Sequence, residues 1–302
     1  MKTATAAIRS LLHQTSPPEQ PIEIKAVYRD PSKAPAEFTS QPNFEAVKGD
    51  ISDASSLDFT GADAVLTLTP PVFDGRDIVK NAETVSQNVK EAIERAPSVK
   101  RLVLLSSMGA HLSEGVGEIK TNNAAERIFS DTKIPHITFI RCAYFMENWT
   151  VALDTLKDPE PFFFSTVTPL DYKVPMVAVK DIGQVMATQL IAAEELPTSP
   201  YILELHGPRD FTPLDVQAAF SKAMGKDVAV KPIGQDQLLS FYGRLFPPSI
   251  VGEWVEMAKS FLPGGPAVEN PPPETERGIV RGKTELDEAI GEAVHTFFGN
   301  SS

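Results

Sequence analysis

Over the first half of the chain the apolar positions alternate between helical spacing and short unbroken apolar runs. That is the pattern of a parallel sheet with crossover helices. Ala4 to Leu12 reads as a helix and Ile22 to Tyr28 as a strand. A Pro- and Ser-rich loop, RDPSKAPAEFTSQP, leads to a strand in NFEAVKGD. SDASSLDFTGA predicts a short helix capped by Ser52. DAVLTLTPP predicts a buried strand stopped by Pro70 and Pro71, and DIVKNAETVSQNVKEAIERA a long helix with Ile78, Val85, Val89 and Ile93 on one face. VKRLVLLSSMGAH is a further buried strand, NNAAERIFSDT a helix, and HITFIRCAYFMENW a strand running into a loop.

The second half is less regular. YKVPMVAVKDIGQVMATQLIAA predicts a short strand and then a helix headed by Asp181 as its cap, and YILELHG another strand. TPLDVQAAFSKAMG predicts a helix capped by Thr212 and stopped by Gly225. VAVKPI reads as a strand, residues 235 to 262 as helical, and the Pro-rich stretch 263–278 as a surface loop. The expected class is α/β: a Rossmann-like doubly wound parallel sheet with a small, mostly helical C-terminal lobe. The expected division is a dinucleotide-binding part over 1–150 and a substrate lobe over 151–302, interleaved with the last strands of the sheet.

Composition narrows this without changing it. The net charge of -12 leaves no basic excess for nucleic acid or an anionic membrane. A single cysteine, Cys142, excludes internal disulfides and is expected to be a small buried hydrophobe. The five histidines have no metal-ligand spacing on one helix, so no metal site is expected. No apolar run is long enough to span a bilayer, and no secretory leader is read at the start, so the expected compartment is the cytoplasm.

In an open parallel sheet, ligands sit beyond the carboxyl ends of the strands. The informative residues are therefore those just past each strand. After the first strand come Arg29, Asp30 and Lys33. An acidic residue there suits a ribose 2′-hydroxyl, whereas guanidinium suits a 2′-phosphate, so Arg29 and Lys33 lean towards NADP(H). Next come Gly49, Asp50 and Ile51 on the adenine side, then Thr69, Pro70 and Pro71, then Ser106 and Ser107, then Ala143, Tyr144 and Phe145.

The blocks AVYRDPSK, VKGDISDASSLD, GADAVLTLTPP, VKRLVLLSSMGAH, RCAYFMENW and VPMVAVKDIGQVMA resemble the NmrA-like family of atypical short-chain dehydrogenases/reductases, in order from residue 4 to about residue 230. The resemblance implies a Rossmann domain with a small C-terminal lobe. It also implies NAD(P)H-linked reduction of quinones, enones or imines, or redox sensing through bound NADP, with some members in secondary metabolism. Two departures stand out. The family begins with a strand and a glycine-rich turn, whereas here TATAAIRSLL matches the helix after that turn and the first glycine is Gly49. A truncated or alternative start is the expected reason. The alternatives are a segment recruited from elsewhere, or loss of tight nucleotide binding.

The second departure concerns the helix after the SS strand. Family reductases often carry Lys four residues before a Glu; with Glu126 as that Glu, the place belongs to Asn122, and Lys120 lies two residues earlier. Other subgroups carry His where Asn123 stands. The candidate catalytic residues are Lys120, Tyr144, Asn122 and Glu126, with Lys120 also near the nicotinamide ribose and Glu126 read equally as a helix-face residue. Phe145, Trp149, Phe163, Met176, Tyr242, Phe246 and Trp254 are the candidate wall of a pocket for a flat hydrophobic substrate. Three readings follow: an NADP(H)-linked oxidoreductase of an aromatic, quinone or enone molecule; an isomerase with NADP as a fixed element; and an NADP-sensing regulator with a protein partner.

Overall fold

The computed structural model describes residues 2–13, 21–273 and 278–299. The alternation of the first half becomes helix α1 (Lys2–Leu12), strand β1 (Ile24–Tyr28), the single turn α2 (Ala36–Thr39), β2 (Phe44–Lys48), β3 (Ala64–Leu68), α3 (Ile78–Glu94), β4 (Arg101–Ser107), α4 (Lys120–Ser130) and β5 (His136–Cys142). The second half supplies β6 (Tyr144–Phe145), β7 (Phe162–Ser165), β8 (Val174–Val177), α5 (Val179–Ile191), β9 (Tyr201–His206), β10 (Asp210–Phe211), α6 (Pro213–Met224) and β11 (Ala229–Pro232). It ends with α7 (Leu238–Tyr242), α8 (Val251–Ser260), the short α9 (Pro266–Glu269), β12 (Gly278–Arg281) and α10 (Leu286–Gly299).

The main sheet is parallel throughout, in the order β12-β9-β5-β4-β3. Successive side chains of β4 go to opposite faces, as a pleated strand requires. Leu102 and Leu104 join Val89 and Ile93 of α3 and Phe129 of α4, while Val103 joins Ala7 of α1 and Ile182 and Met186 of α5. Helices therefore cover both faces, which is why these strands read as unbroken apolar runs. The molecule has the doubly wound α/β architecture of a Rossmann-like domain.

β1 and β2 form a separate parallel pair. The chain leaving β2 descends along α3: Ile51 O accepts from Asn88, and Ala54 O accepts from Arg95 at the C-terminal end of that helix. This gives the pair the same sense as the main sheet. Among the described residues no strand bridges β1 and β3, and each has a ladder on one side only. α1 lies close against α5; a Cβ on Gly183 would stand 2.5 Å from the Ala6 carbonyl carbon.

The remaining sheets, β10-β8-β6 and β11-β7, build the second lobe with α6 and α10. Its core includes Met146, Trp149, Phe163, Met176, Phe220 and Ile290. Two helix caps differ from the sequence expectation. Asp53, not Ser52, caps a 3-10 turn over Ala54–Ser56, because the Ser52 hydroxyl donates to Asp50 instead. Asp181 does not cap α5; its carboxylate accepts from Thr284 N–H and hydroxyl near the C-terminal helix, while Glu147 accepts from the Val179 N–H at the start of α5. Thr212 and Asp215 form a reciprocal capping box on α6, and Gly225 ends it at φ 63°, where glycine meets no Cβ penalty. The stretch 235–262, read as one helical segment, is split into α7 and α8 by Pro247 and Pro248. β7 and β12, four residues each, are too short to be read from sequence, whereas α10 was missed although Leu286, Ala289, Ile290 and Val294 recur at helical spacing. Of the Pro-rich loop, 274–277 lie outside the described residues, and the rest holds the single turn α9.

Candidate functional site

The parallel registers bring the strand ends to one edge. Ser107 lies beside Cys142, and Leu68 at the end of β3 lies beside Leu105. The loop 69–77 leaves this edge from β3, and α4 enters from it after β4.

At the β1 end of the edge, Arg29 and Lys33 are exposed, with no side-chain hydrogen bond or ion pair among the described residues. Asp30 spends its carboxylate on the Ser32 N–H and hydroxyl. Asp50 does the same with Ser52, and those hydrogen bonds, helped by the charge of Arg29, hold its carboxyl below the usual range. Ile51 points into the cluster beneath α3 while its carbonyl accepts from Asn88. Thr69 and Pro70 are half-buried, and Pro71 is exposed.

Several residues expected at the centre of the edge are committed elsewhere. Glu126 is buried, not facing a ligand: Arg141 donates to both of its oxygens at 2.9 and 2.6 Å, and Ser106 donates to the same carboxylate at 2.6 Å. Ser106 is thereby removed from the ribose side as well. Ser107 donates to Met108 O, and the Ala143 N–H to Leu205 O. Phe145 packs against the cluster under α1 and α5. Cys142 is buried, and burial pushes its thiol up.

Lys120 turns away from the sheet towards α8. Its ammonium lies 2.8 Å from one Glu253 oxygen and 3.5 Å from Glu256. Burial alone would lower its pKa, but the hydrogen bond and charge of Glu253, with Glu256, outweigh this and raise it. Lys120 is therefore a fixed cation joining α4 to α8. The same contact is sealed by Gly117, whose N–H donates to Glu256 at 2.9 Å and whose missing side chain admits the Glu253 carbonyl. Asn123 donates to Ala110 O, and Asn122 is half-buried on the first turn of α4. Tyr144 is half-buried but its hydroxyl is enclosed, near Asn148 and Tyr242; burial and Tyr242 push its pKa up, against the Asn148 hydrogen bond. It stays protonated at neutral pH.

Of the proposed substrate wall, Trp149, Phe163 and Met176 are core residues of the second lobe, 3%, 0% and 0% exposed. Their size and shape fill that core, so they offer no face to a ligand. Tyr242, Phe246 and Trp254 form a different arrangement. The rings of Phe246 and Trp254 stack at 4.5 Å and 9°, and Tyr242 lies 5.8 Å from Phe246. Phe73, from the loop after β3, completes the group at 5.9 Å from Phe246 and 5.8 Å from Trp254. Ser249 adds a hydrogen bond to Gly75 O at 2.8 Å. These rings run from α7 and α8 to the β3 loop. The sequence reading missed Phe73 because it sought aromatic residues only from the AYFMENW loop onward; its place two residues past Pro71 was the available signal.

A hollow of about 470 Å³ lined by Ala96, Lys100, Lys133 and Pro135 lies at the opposite, amino edge, away from these groups. Among the described residues no group of His, Cys, Asp and Glu is arranged to hold a metal ion, and no helix is long and apolar enough to cross a membrane.

The doubly wound sheet and its second lobe define a Rossmann-like α/β protein. The NmrA-like family model matches residues 9–288, and the chain belongs to that family. It is similar in structure to an Escherichia coli NADPH-dependent quinone oxidoreductase, at 18% identity and TM-score 0.68, over 97% of this chain and 96% of that one. It is similar to the Citrobacter triphenylmethane reductase complexed with NADP(H), at 19% identity and TM-score 0.68, over 96% of each chain. A leucoanthocyanidin reductase bound to NADPH from Vitis vinifera aligns at 17% identity and TM-score 0.66, over 97% of this chain and 95% of that one. No curated protein matches the chain by sequence.

Proposed function

We propose that the protein is an NADP(H)-linked oxidoreductase of a hydrophobic aromatic, quinone or enone small molecule. The observation that carries this is the division of one sheet edge into two chemistries: exposed cations, Arg29 and Lys33, at one end and a wall of aromatic rings at the other. The cations suit a nucleotide 2′-phosphate, because guanidinium binds phosphate in two places. Asp30, the residue type that would hold a 2′-hydroxyl, is engaged by Ser32, which favours NADP over NAD. The described residues hold no glycine-rich turn ahead of α1, so the fit rests on the 2′-phosphate end. The family and the three reductases named above support the same reading.

Bound NADPH would supply hydride. This chain's part is to hold the acceptor against the aromatic wall and to furnish a proton. Tyr144 is the best-placed donor, since its hydroxyl is protonated at neutral pH and it opens β6 beside Tyr242. Lys120 is a cation fixed to Glu253, and Asn122 has no proton to give. Asn122 also favours a second reading, an isomerase in which the nucleotide is a fixed element.

The test is calorimetric titration with NADPH, followed by NADPH consumption with a panel of quinones and enones. Micromolar binding and acceptor-dependent consumption support the reductase. Binding without consumption favours the isomerase. Absence of binding by a folded protein overturns both.

A further inference from the structure

The three rings at the mouth of the edge are not a simple stack. Successive stacked rings are spaced by roughly 3.5 Å, so a third ring on top of the Phe246–Trp254 pair would lie about 7 Å from its far member. Phe73 is instead almost equidistant, 5.9 Å from Phe246 and 5.8 Å from Trp254, with its plane within 13° and 21° of theirs. It therefore lies alongside the pair and covers their edges. Phe73 is the one member supplied by the sheet domain, and 52% of it is exposed. Phe246 and Trp254, by contrast, are half-buried, the one ahead of α8 and the other on it. The Trp254 indole nitrogen is buried with no hydrogen-bond partner among the described residues. A buried donor without an acceptor carries a desolvation cost that a bound acceptor would relieve. An indole N–H lies in the plane of its ring, so an acceptor must approach in that plane, from an edge.

We infer that Trp254 is a specificity-determining residue for carbonyl-bearing aromatic ligands, donating its indole N–H to the ligand oxygen, and that Phe73 covers the place the ligand ring takes. This deepens, and rests on, the reading of the edge as an aromatic-substrate site. A flat ring displacing Phe73 lies alongside Phe246 and Trp254, where a carbonyl oxygen meets an in-plane donor. A hydrocarbon of the same shape gains the ring contacts but not the hydrogen bond. Trp149 also has an unpartnered indole nitrogen, but its side chain is 3% exposed in the lobe core, out of a ligand's reach.

The experiment compares equilibrium binding of 1,4-naphthoquinone and naphthalene to the full chain, without cofactor, in wild type, Trp254→Phe and Phe73→Ala. Trp254→Phe keeps an aromatic face and removes the donor together with part of the indole, a loss of ring contact that both ligands share. It is expected to weaken naphthoquinone binding about tenfold, the worth of one hydrogen bond, and to leave naphthalene within about twofold. Its melting temperature should change little, since relief of the buried unpaired N–H offsets the loss of part of the indole's packing. Phe73→Ala is expected to strengthen binding of both ligands by removing the cover. The inference is overturned if Trp254→Phe binds naphthoquinone as wild type does, if it weakens both ligands equally, or if wild type binds neither. NADPH consumption with naphthoquinone separates the two levels. Selective loss in Trp254→Phe without turnover in wild type upholds this inference and defeats the reductase reading. Turnover with unselective loss does the reverse.

Discussion

Arg141 of β5 holds Glu126 of α4 through two hydrogen bonds, Nε to Oε1 at 2.9 Å and Nη2 to Oε2 at 2.6 Å, in a pair 8% and 9% exposed. Ser106 of β4 donates to the same Oε1 at 2.6 Å, so three elements meet on one carboxylate. The pair fixes α4 on the sheet, and α4 carries Lys120, Asn122 and Asn123 on its first turn. Removing one partner leaves a buried, uncompensated charge, which typically costs about 3–5 kcal/mol. Arg141→Met should therefore lower the denaturant midpoint strongly. The double variant Arg141→Met/Glu126→Leu should recover a good part of the loss. A double variant no better than Arg141→Met would show that the pair is not the anchor.

Gly183 of α5 faces Ala6 of α1 so closely that a Cβ would lie 2.5 Å from Ala6 Cβ and from its carbonyl carbon. Both are helix segments without room to yield, so Gly183→Ala must push α1 from α5. Overpacking of this kind costs about 1–3 kcal/mol, despite the better helix propensity of alanine. Thermal melting of Gly183→Ala should show a clear loss, and hydrogen exchange should rise first in α1. A neutral or stabilised variant would mean that the two helices are not in contact in solution.

Much of this fold is legible in the sequence, and the reasons are local. Ile78, Val85, Val89 and Ile93 recur on one face of α3 and are all buried. Thr212 and Gly225 mark both ends of α6. The site was less legible, because its residues are defined by what they touch across the chain. Lys120 reads as a catalytic lysine until Glu253, 133 residues away, takes its ammonium. Glu126 reads as an acid until Arg141 and Ser106 close on it. Trp149, Phe163 and Trp254 are equivalent as letters, and only packing separates core from edge. Arg29 and Lys33 are proposed by position alone, since the rule of carboxyl strand ends needs no tertiary contact.

Glu118 lies in the turn before α4, and among the described residues its carboxyl has one polar partner, the Thr121 hydroxyl 3.4 Å away. Burial holds its carboxyl above the usual range, and the Thr121 hydrogen bond opposes this weakly. A raised pKa means that the folded protein binds the proton more readily than the unfolded chain. The associated stability is present below the unfolded value, about 4.3, and is lost as pH rises through the higher folded value. Glu118→Gln, which cannot ionise, should melt at a higher temperature than wild type at pH 7, and the gap should close as pH falls to about 4. A gap independent of pH would assign it to something other than this carboxyl.

Arg29 and Lys33 give the cofactor reading its sharpest test. A nucleotide 2′-phosphate distinguishes NADPH from NADH, and hydrogen bonds to charged groups are worth about 1.5–3 kcal/mol. Arg29→Ala should therefore weaken NADPH binding by at least about tenfold and leave NADH binding nearly unchanged. Lys33→Ala should have a smaller effect in the same direction, as a single ammonium contributes one point charge rather than a two-pronged grip. Raising the salt concentration should weaken NADPH binding more than NADH binding in wild type, and the difference should shrink in Arg29→Ala. Both side chains are exposed and make no hydrogen bond among the described residues, and the charge of Arg29 acts on Asp50 only across solvent, so neither substitution should move the melting temperature appreciably. Equal loss of NADPH and NADH in Arg29→Ala would place the 2′-phosphate elsewhere and remove the basis for preferring NADP.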